Sequence, residues 1–358
     1  MAKQDQSRVG TVEDADRYAW ERRGTFEVAE GVYRIPLPLP NDGLAAVNVY
    51  ALLEGDGVAL IDAGWALGDS RTHLEEGLAA IDRDLGSIRR VLVTHIHRDH
   101  YEQSVVLQRE FGTHVALGEG ERPSLERIID QHEGTDDTHP MSRMMRLAGA
   151  DDLLEELAEG RRRAEAEGRV DHPLVALPDH WLTDDEVIEV GGRRLSVVRT
   201  PGHTQGHVVF VDHDNGLLFA GDHILPHITP SIGLEQVPVE SPLADYLSSL
   251  ALVRGMEDLQ MLPAHGPVRP TTHDRIDELL VHHEQRLRAS AKAVADGHAT
   301  TYAVARALPW TRRERRFDDL DAFNRMLAVN ETAAHLDVLV RQEDLGVVEV
   351  DGVRYYAP

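Results

Sequence analysis

Cysteine is absent from the 358 residues. No disulfide can form, and any metal site has to be built from histidine and carboxylate rather than thiolate. No window comes near the ~18 consecutive apolar residues of a membrane span, so no membrane partner is expected. Residues 1–15 are polar and lack the apolar stretch of a secretory signal, which points to a cytoplasmic protein. Lysine is confined to Lys3 and Lys292, and aromatic residues make up 5%. A basic excess is missing too: 37 basic residues face 62 acidic ones, a net charge of −25. Such a surface repels phosphate backbones, which argues against bulk nucleic-acid binding. No repeat of fixed period and no low-complexity tract interrupts the chain. Hydrophobic residues at 42% and charged residues at 28% are an ordinary globular mixture. The length suggests two domains at ~100–200 residues each.

The chain is rich in histidine, with twenty, so the question is whether they cluster. After a polar segment over 1–25, a strand-like run over 26–35 ends at Pro36. Runs over 45–54 and 58–61 flank Gly55-Asp56-Gly57, a hairpin signal. Leu74, Leu78 and Ile81 have helical spacing, 90–93 reads as a buried strand, and 102–111 as a helix. From 119 to 180 the pattern turns polar and helical, which reads as an α-helical insertion. Strands over 187–190, 195–199, 208–211, 217–220 and 260–262 follow, with a helix over 242–256. Beyond residue 270 come a long helix over 273–295, further helices over 302–308 and 321–342, and a closing hairpin around Asp351-Gly352. His282 and His283 on the long helix are expected to face solvent. The domains expected are 26–269, carrying the insertion, and 270–358.

The chemistry gathers at strand ends. His95-Ile96-His97-Arg98-Asp99-His100 directly follows the strand over 90–93. Alternate side chains there share a face, and imidazoles with a carboxylate suit Zn²⁺, Fe or Mn. His203 in Pro201-Gly202-His203, Asp222 in Gly221-Asp222 and His265 in Ala264-His265-Gly266 each lie just past a strand with glycine beside them. Together with Asp62 in Ile61-Asp62-Ala63-Gly64, these motifs in this order resemble the metallo-β-lactamase superfamily over about residues 26–268.

The resemblance implies an α/β fold, a four-layer αβ/βα sandwich with two metals at the strand ends. By it, His95, His97 and His203 would hold the first metal, Asp99, His100 and His265 the second, and Asp222 would bridge. The metals would be two zinc ions per chain, with Fe or Mn as alternatives. They would share a bridging hydroxide that attacks an ester-type carbonyl, with Asp99 shuttling its proton. Asp62 would orient a ligand through a hydrogen bond. Tyr101, His223 and His227 are candidates to line the substrate pocket, and His207 reads as structural.

For the substrate, Gly221-Asp222-His223-Ile224-Leu225-Pro226 is similar to the branch of hydroxyacylglutathione-type hydrolases, and the tail to the winged-helix extension that some of them carry. That implies a small thioester, lactone or carboxylic ester. Ribonuclease or phosphodiesterase is the alternative, because some relatives with this tail cleave RNA. Against it, residues 270–358 hold 12 basic and 15 acidic residues, with one basic cluster at Arg312, Arg313, Arg315 and Arg316. A basic stripe would be expected of a nucleic-acid enzyme, so no nucleic-acid partner is expected. A mononuclear iron sulfur dioxygenase shares the motifs and stays open. The insertion carries Met141, Met144, Met145 and Leu147, an adaptable apolar set that either covers the site, forms an interface or fills the insertion's own core. A homodimer through insertion and tail also stays open.

Overall fold

The computed structural model describes residues 10–11, 18–40, 44–130, 140–168, 173–311 and 314–358. Among them, eight strands form one sheet in chain order: β1 (Gly10–Thr11), β2 (Phe26–Ala29), β3 (Val32–Pro38), β4 (Ala46–Glu54), β5 (Gly57–Ile61), β6 (Ile88–Val93), β7 (His114–Gly118) and β8 (His180–Leu182). A second sheet holds β9 (Val187–Val190), β10 (Arg193–Arg199), β11 (Val208–Asp212), β12 (Leu217–Gly221) and β13 (Gln260–Pro263). The last two strands, β14 (Gly346–Val350) and β15 (Val353–Ala357), make a separate hairpin.

Side-chain alternation in single strands builds two cores at once. In β4, Val47, Val49 and Ala51 face one way, toward Leu74 and Leu78 of α1 (Gly68–Ala79) and Val105 and Leu107 of α2 (Arg98–Phe111). Tyr50 and Leu52 face the other way, toward Val197, Phe210 and Phe219 of the second sheet. A strand buried on both faces reads as a nearly continuous apolar run; β4 does from Val49 to Leu53, while Asn48, buried within it, is satisfied by the Pro263 and Gly266 carbonyls. The far face of the second sheet packs on Leu243, Tyr246 and Leu250 of the helix over Pro242–Arg254 and on Ile276 and Leu279 of the helix over His273–Ala295. The order is therefore helix, sheet, sheet, helix.

Two expectations need correction here. The run over 26–35 is not one strand ended by Pro36: the chain reverses at Glu30-Gly31, and β3 continues through Pro36 and Pro38, paired with Asn48 and Ala46 of β4. Proline is tolerated because β2 pairs β3 only as far as Arg34, so no neighbour needs the missing N–H groups beyond it. The insertion contains α3 (Arg122–Asp130), α4 (Pro140–Leu147) and α5 (Asp151–Ala166), and it has no core of its own among the described residues. Met145 and Leu153 pack with Val304, Phe317, Met326, Val329 and Tyr356 of the tail.

The helices after the insertion are α6 (Pro242–Arg254), α7 (His273–Ala295), α8 (Thr301–Ala307) and α9 (Ala322–Arg341). Within the tail, α9 starts at Asp321, whose carboxylate accepts from Asn324 N at 2.9 Å, a standard N-cap. Arg312 and Arg313 lie outside the described residues. Among the described residues no helix is long and apolar enough to cross a membrane.

Candidate metal centre

Five strand ends converge on one point. Asp62 follows β5, Thr94 and His95 follow β6, His203 lies in the turn after β10, Asp222 follows β12, and His265 follows β13. His97 caps α2, and Asp99 and His100 occupy its first turn. His203 Nε2 lies 3.2 Å from His95 Nε2 and 3.0 Å from His97 Nδ1. Asp99 Oδ2 lies 3.3 Å from His265 Nε2 and 3.6 Å from His100 Nε2. Asp222 stands between the two groups: its Oδ2 is 3.5 Å from His203, and its Oδ1 is 3.3 Å from His265 and 3.7 Å from His100.

The outer nitrogens of these imidazoles are all engaged. A carbonyl or carboxylate only accepts, so each facing ring nitrogen must carry the proton. His97 Nε2 donates to Leu234 O at 3.2 Å, His203 Nδ1 to Ser231 O at 2.6 Å and His265 Nδ1 to Ala46 O at 2.8 Å. His100 Nδ1 donates to Asp62 Oδ2 at 2.8 Å. The Thr94 hydroxyl donates to that same oxygen at 3.0 Å, so it accepts from His95 Nδ1 at 3.0 Å. Five ring nitrogens are left pointing inward with the carboxylates. Of these inward atoms, His100 Nε2, His265 Nε2 and Asp222 Oδ1 are buried without a hydrogen-bond partner. A buried polar atom left unpaired is costly, and this donor set fits divalent cations. Among the described residues, three clusters satisfy the spacing for holding an ion: His95 with His97 and His203, His95 with His100 and Asp222, and Asp99 with His100 and His265.

Electrostatics separates the two halves. Burial first, and then the neighbouring imidazoles, hold His95 well below its ordinary pKa and His203 down at about 4. Burial opposes charge on His100 as well, but Asp99, Asp62 and Asp222 outweigh it and raise His100 to about 10. His265 is raised by Asp222 and Asp99 against the same burial. Burial would raise Asp99, yet His100, His265 and His97 hold it below the usual carboxylate range.

The pocket candidates are placed differently from expectation. Tyr101 is buried in the core behind α2, and its hydroxyl donates to Ala176 O at 2.5 Å. His223 is fully buried, its ring against Tyr246 at 5.3 Å. Neither lines an open pocket, because the turn that aims Asp222 inward sends His223 into the core behind it. His227 is half-buried. On α7, His283 is not solvated: it is buried and donates to His335 Nε2 at 3.2 Å, and His282 is half-buried. The α7–α9 contact covers that face of the helix.

Other contributors were not singled out as functional in the sequence. His207 accepts from Asp222 N at 3.1 Å while its other ring nitrogen donates to the Thr200 hydroxyl at 2.8 Å, so it fixes the backbone that carries Asp222. Glu121, fully buried, accepts from Ile96 N at 3.3 Å and from the Thr204 hydroxyl at 2.5 Å, tying together the loops of His95, His97 and His203. Its position past β7 within Gly118-Glu119-Gly120-Glu121 is a signal of the same kind that marked the others. The Ser231 and Leu234 carbonyls have no side-chain signature at all.

That two-loop junction relies on bare backbone. A Cβ on Gly206 would meet Glu121 N at 2.1 Å, and one on Gly118 would meet Gly206 O at 2.0 Å. Gly206→Ala should destabilise the protein by about 1–3 kcal/mol, the usual cost of overpacking, because backbone has to move. Gly160→Ala, in α5 with nothing within 4 Å of the added Cβ, should instead stabilise by roughly 0.5–1 kcal/mol. Denaturant midpoints of the two variants check this; equal midpoints would refute the close-approach argument.

The comparisons with known proteins agree with this architecture. The family model described as metallo-beta-lactamase superfamily matches residues 42–265, more than half of the chain. A probable metallo-hydrolase of Bacillus subtilis (strain 168) is 25% identical over 331 residues, 88% of this chain and 93% of that one. A shorter match, 31% identical over 112 residues, is to an atrochrysone carboxyl ACP thioesterase of Paecilomyces divaricatus, covering 30% of this chain and 33% of that protein. Among solved structures, a metallo-beta-lactamase family protein of Thermus thermophilus aligns with a TM-score of 0.71 at 28% identity, covering 92% of this chain and 99% of its own. A beta-lactamase domain protein from Burkholderia ambifaria aligns with the same TM-score of 0.71 at 27% identity and 93% coverage of each chain. With strand-end histidines and carboxylates in family order and a family model across its two sheets, the chain belongs to the metallo-beta-lactamase superfamily and is a metal-dependent hydrolase.

Proposed function

We propose that the chain is a dinuclear hydrolase of small ester-type substrates, thioesters foremost, in the branch of hydroxyacylglutathione-type hydrolases, with its tail as a winged-helix-like extension. The observation that carries the two-metal reading is the division of inward-pointing donors around Asp222, whose two carboxylate oxygens face different histidine groups. His95, His97 and His203 would hold one ion, Asp99, His100 and His265 the other, with Asp222 between. Zinc suits the imidazole-rich set; iron and manganese accept the same donors. Two such ions supply a nucleophile at neutral pH by lowering the pKa of water, and they polarise the substrate oxygen.

The chain's own part is positional and protonic. The carbonyls of Ser231, Leu234 and Ala46 and the Asp62 carboxylate fix the ring orientations. Asp99, ionised and partly exposed, is placed to take up a proton and deliver it to the leaving group. Support for a thioester comes from the Paecilomyces thioesterase, over the stretch it shares with this chain. Ion pairing on α5, Arg161 with Glu165 and Arg163 with Glu159, favours a small molecule over RNA, because those cations are already matched.

Elemental analysis of metal-loaded protein, combined with hydrolysis assays on thioesters, lactones, carboxylic esters, phosphodiesters and RNA, tests the reading. We expect two metals per chain and turnover confined to the ester-type substrates. Cleavage of RNA alone would establish the nuclease reading instead. A single iron per chain with oxygen consumption on a persulfide would establish the dioxygenase.

A further inference from the structure

We propose that the cavity between the insertion and the tail binds the unbranched aliphatic chain of the substrate's acyl group. This inference rests on the ester reading above. The cavity measures about 670 Å³ and lies between α4, the segment over 233–242, α9 and the terminal hairpin. Ligand sites typically span ~300–1,000 Å³. Its apolar lining comes from Met141, Met144, Leu147, Val239, Val340 and Val347. Unbranched thioether side chains adapt to chains of varied length.

Charged groups at the margin answer one another. Arg354 meets Asp337 at 3.2 Å and Arg341 meets Glu240 at 3.7 Å. Arg143, Glu235 and Glu349 also reach the lining, and the aliphatic side chains between these charges are the surface offered to the chain.

The cavity and the metal centre share one wall. Gly233 and Glu235 line the cavity. Leu234, between them, sends its carbonyl to His97, and Ser231 sends its own to His203. Asn330 of α9, also in the lining, donates to Ile232 O at 2.6 Å and anchors the strip from the tail side. The strip over 231–235 thus meets the candidate metal ligands through its carbonyls and the cavity through Gly233 and Glu235. The insertion and the tail, which share a core, then act together, each supplying half of a chain-binding wall.

The test uses full-length, metal-loaded protein and thioesters of N-acetylcysteamine from acetyl to decanoyl. Burying one methylene is worth about 0.8 kcal/mol, so kcat/KM should rise about fourfold per carbon until the cavity is full. Met144→Trp, which fills the cavity, should flatten that series, so that long-chain and acetyl thioesters are turned over alike. Val347→Trp, on the exposed hairpin, gives the same test where folding is not at stake. Decan-1-ol supplies a readout independent of turnover: it should raise the thermal midpoint of the wild type and of neither variant. A flat series with no decan-1-ol shift overturns the proposal while short-ester hydrolysis still upholds the hydrolase. Failure to hydrolyse any thioester would sink the ester reading. A decan-1-ol shift lost in both variants would still uphold the cavity as the chain site.

Discussion

Asp99→Asn is expected to cut turnover by about 10²–10⁴, the range that a positioned acid–base group contributes, with the fold intact. The substitution preserves size, and Asp99 sits partly exposed in the first turn of α2 rather than in a core. What changes is charge. The carboxylate lies 3.3 Å from His265 and 3.6 Å from His100. It is foremost among the acids that raise His100 against the pull of burial. An amide oxygen can still approach a cation, but it cannot hold a proton at neutral pH. Lost turnover with near-normal metal content isolates the proton step. Loss of about half the metal would assign Asp99 chiefly to ligation. Near-wild-type turnover with full metal content would remove Asp99 from the mechanism.

Four of the seven candidate donors come from the segment that follows β6, and the other three from single turns past β10, β12 and β13. That division was legible in the sequence: histidine or aspartate directly past a short apolar run, with glycine next to it, marks backbone turning at a sheet edge. The hairpin of β4 and β5 was equally readable, from the Gly55-Asp56-Gly57 turn between two apolar runs.

The outer hydrogen bonds were not legible, for a physical reason. Ser231 and Leu234 act through carbonyls, which every residue possesses, so no side-chain pattern distinguishes them. His207 looked structural because it opens a strand. Only the fold brings Asp222 N against its ring. Asn330 stands on a helix 98 residues from its partner, Ile232. The polar texture of α7 suggested solvent around His283, yet α9 returns across that face and buries it. In each case the missing information was a contact between segments far apart in sequence. The methionines of the insertion illustrate the same limit: their spacing gave an apolar face but not its partner, which is the tail.

The outermost of these supports carries the second large expectation. Asp62→Ala should weaken metal binding about 10–100-fold, the usual loss when the group orienting a ligand histidine is removed. Asp62 adopts the left-handed backbone region at φ 58, which costs a non-glycine residue energy unless its surroundings enforce it. Its carboxylate accepts from Thr94 N at 2.8 Å, from the Thr94 hydroxyl at 3.0 Å and from His100 Nδ1 at 2.8 Å. One side chain thus sets the orientation of His100 directly and of His95 through Thr94. A second effect runs the other way. In the metal-free protein His100 is raised to about 10 by Asp99, Asp62 and Asp222 against burial, so at neutral pH it holds a proton that an incoming metal must displace. Between neutral pH and about 10, one displaced proton makes metal affinity rise about tenfold per pH unit, and the metal is lost as pH falls. Removing Asp62 eases that competition by lowering the pKa of His100, but it frees two histidine rings to turn. Orientation should win near neutral pH, where the substitution acts on both rings and the proton on one. Competition against a chelator from pH 6 to 9 measures the balance. The variant should bind more weakly throughout, with a shallower dependence on pH. Equal affinity at pH 7 would show that the rings hold their places without Asp62.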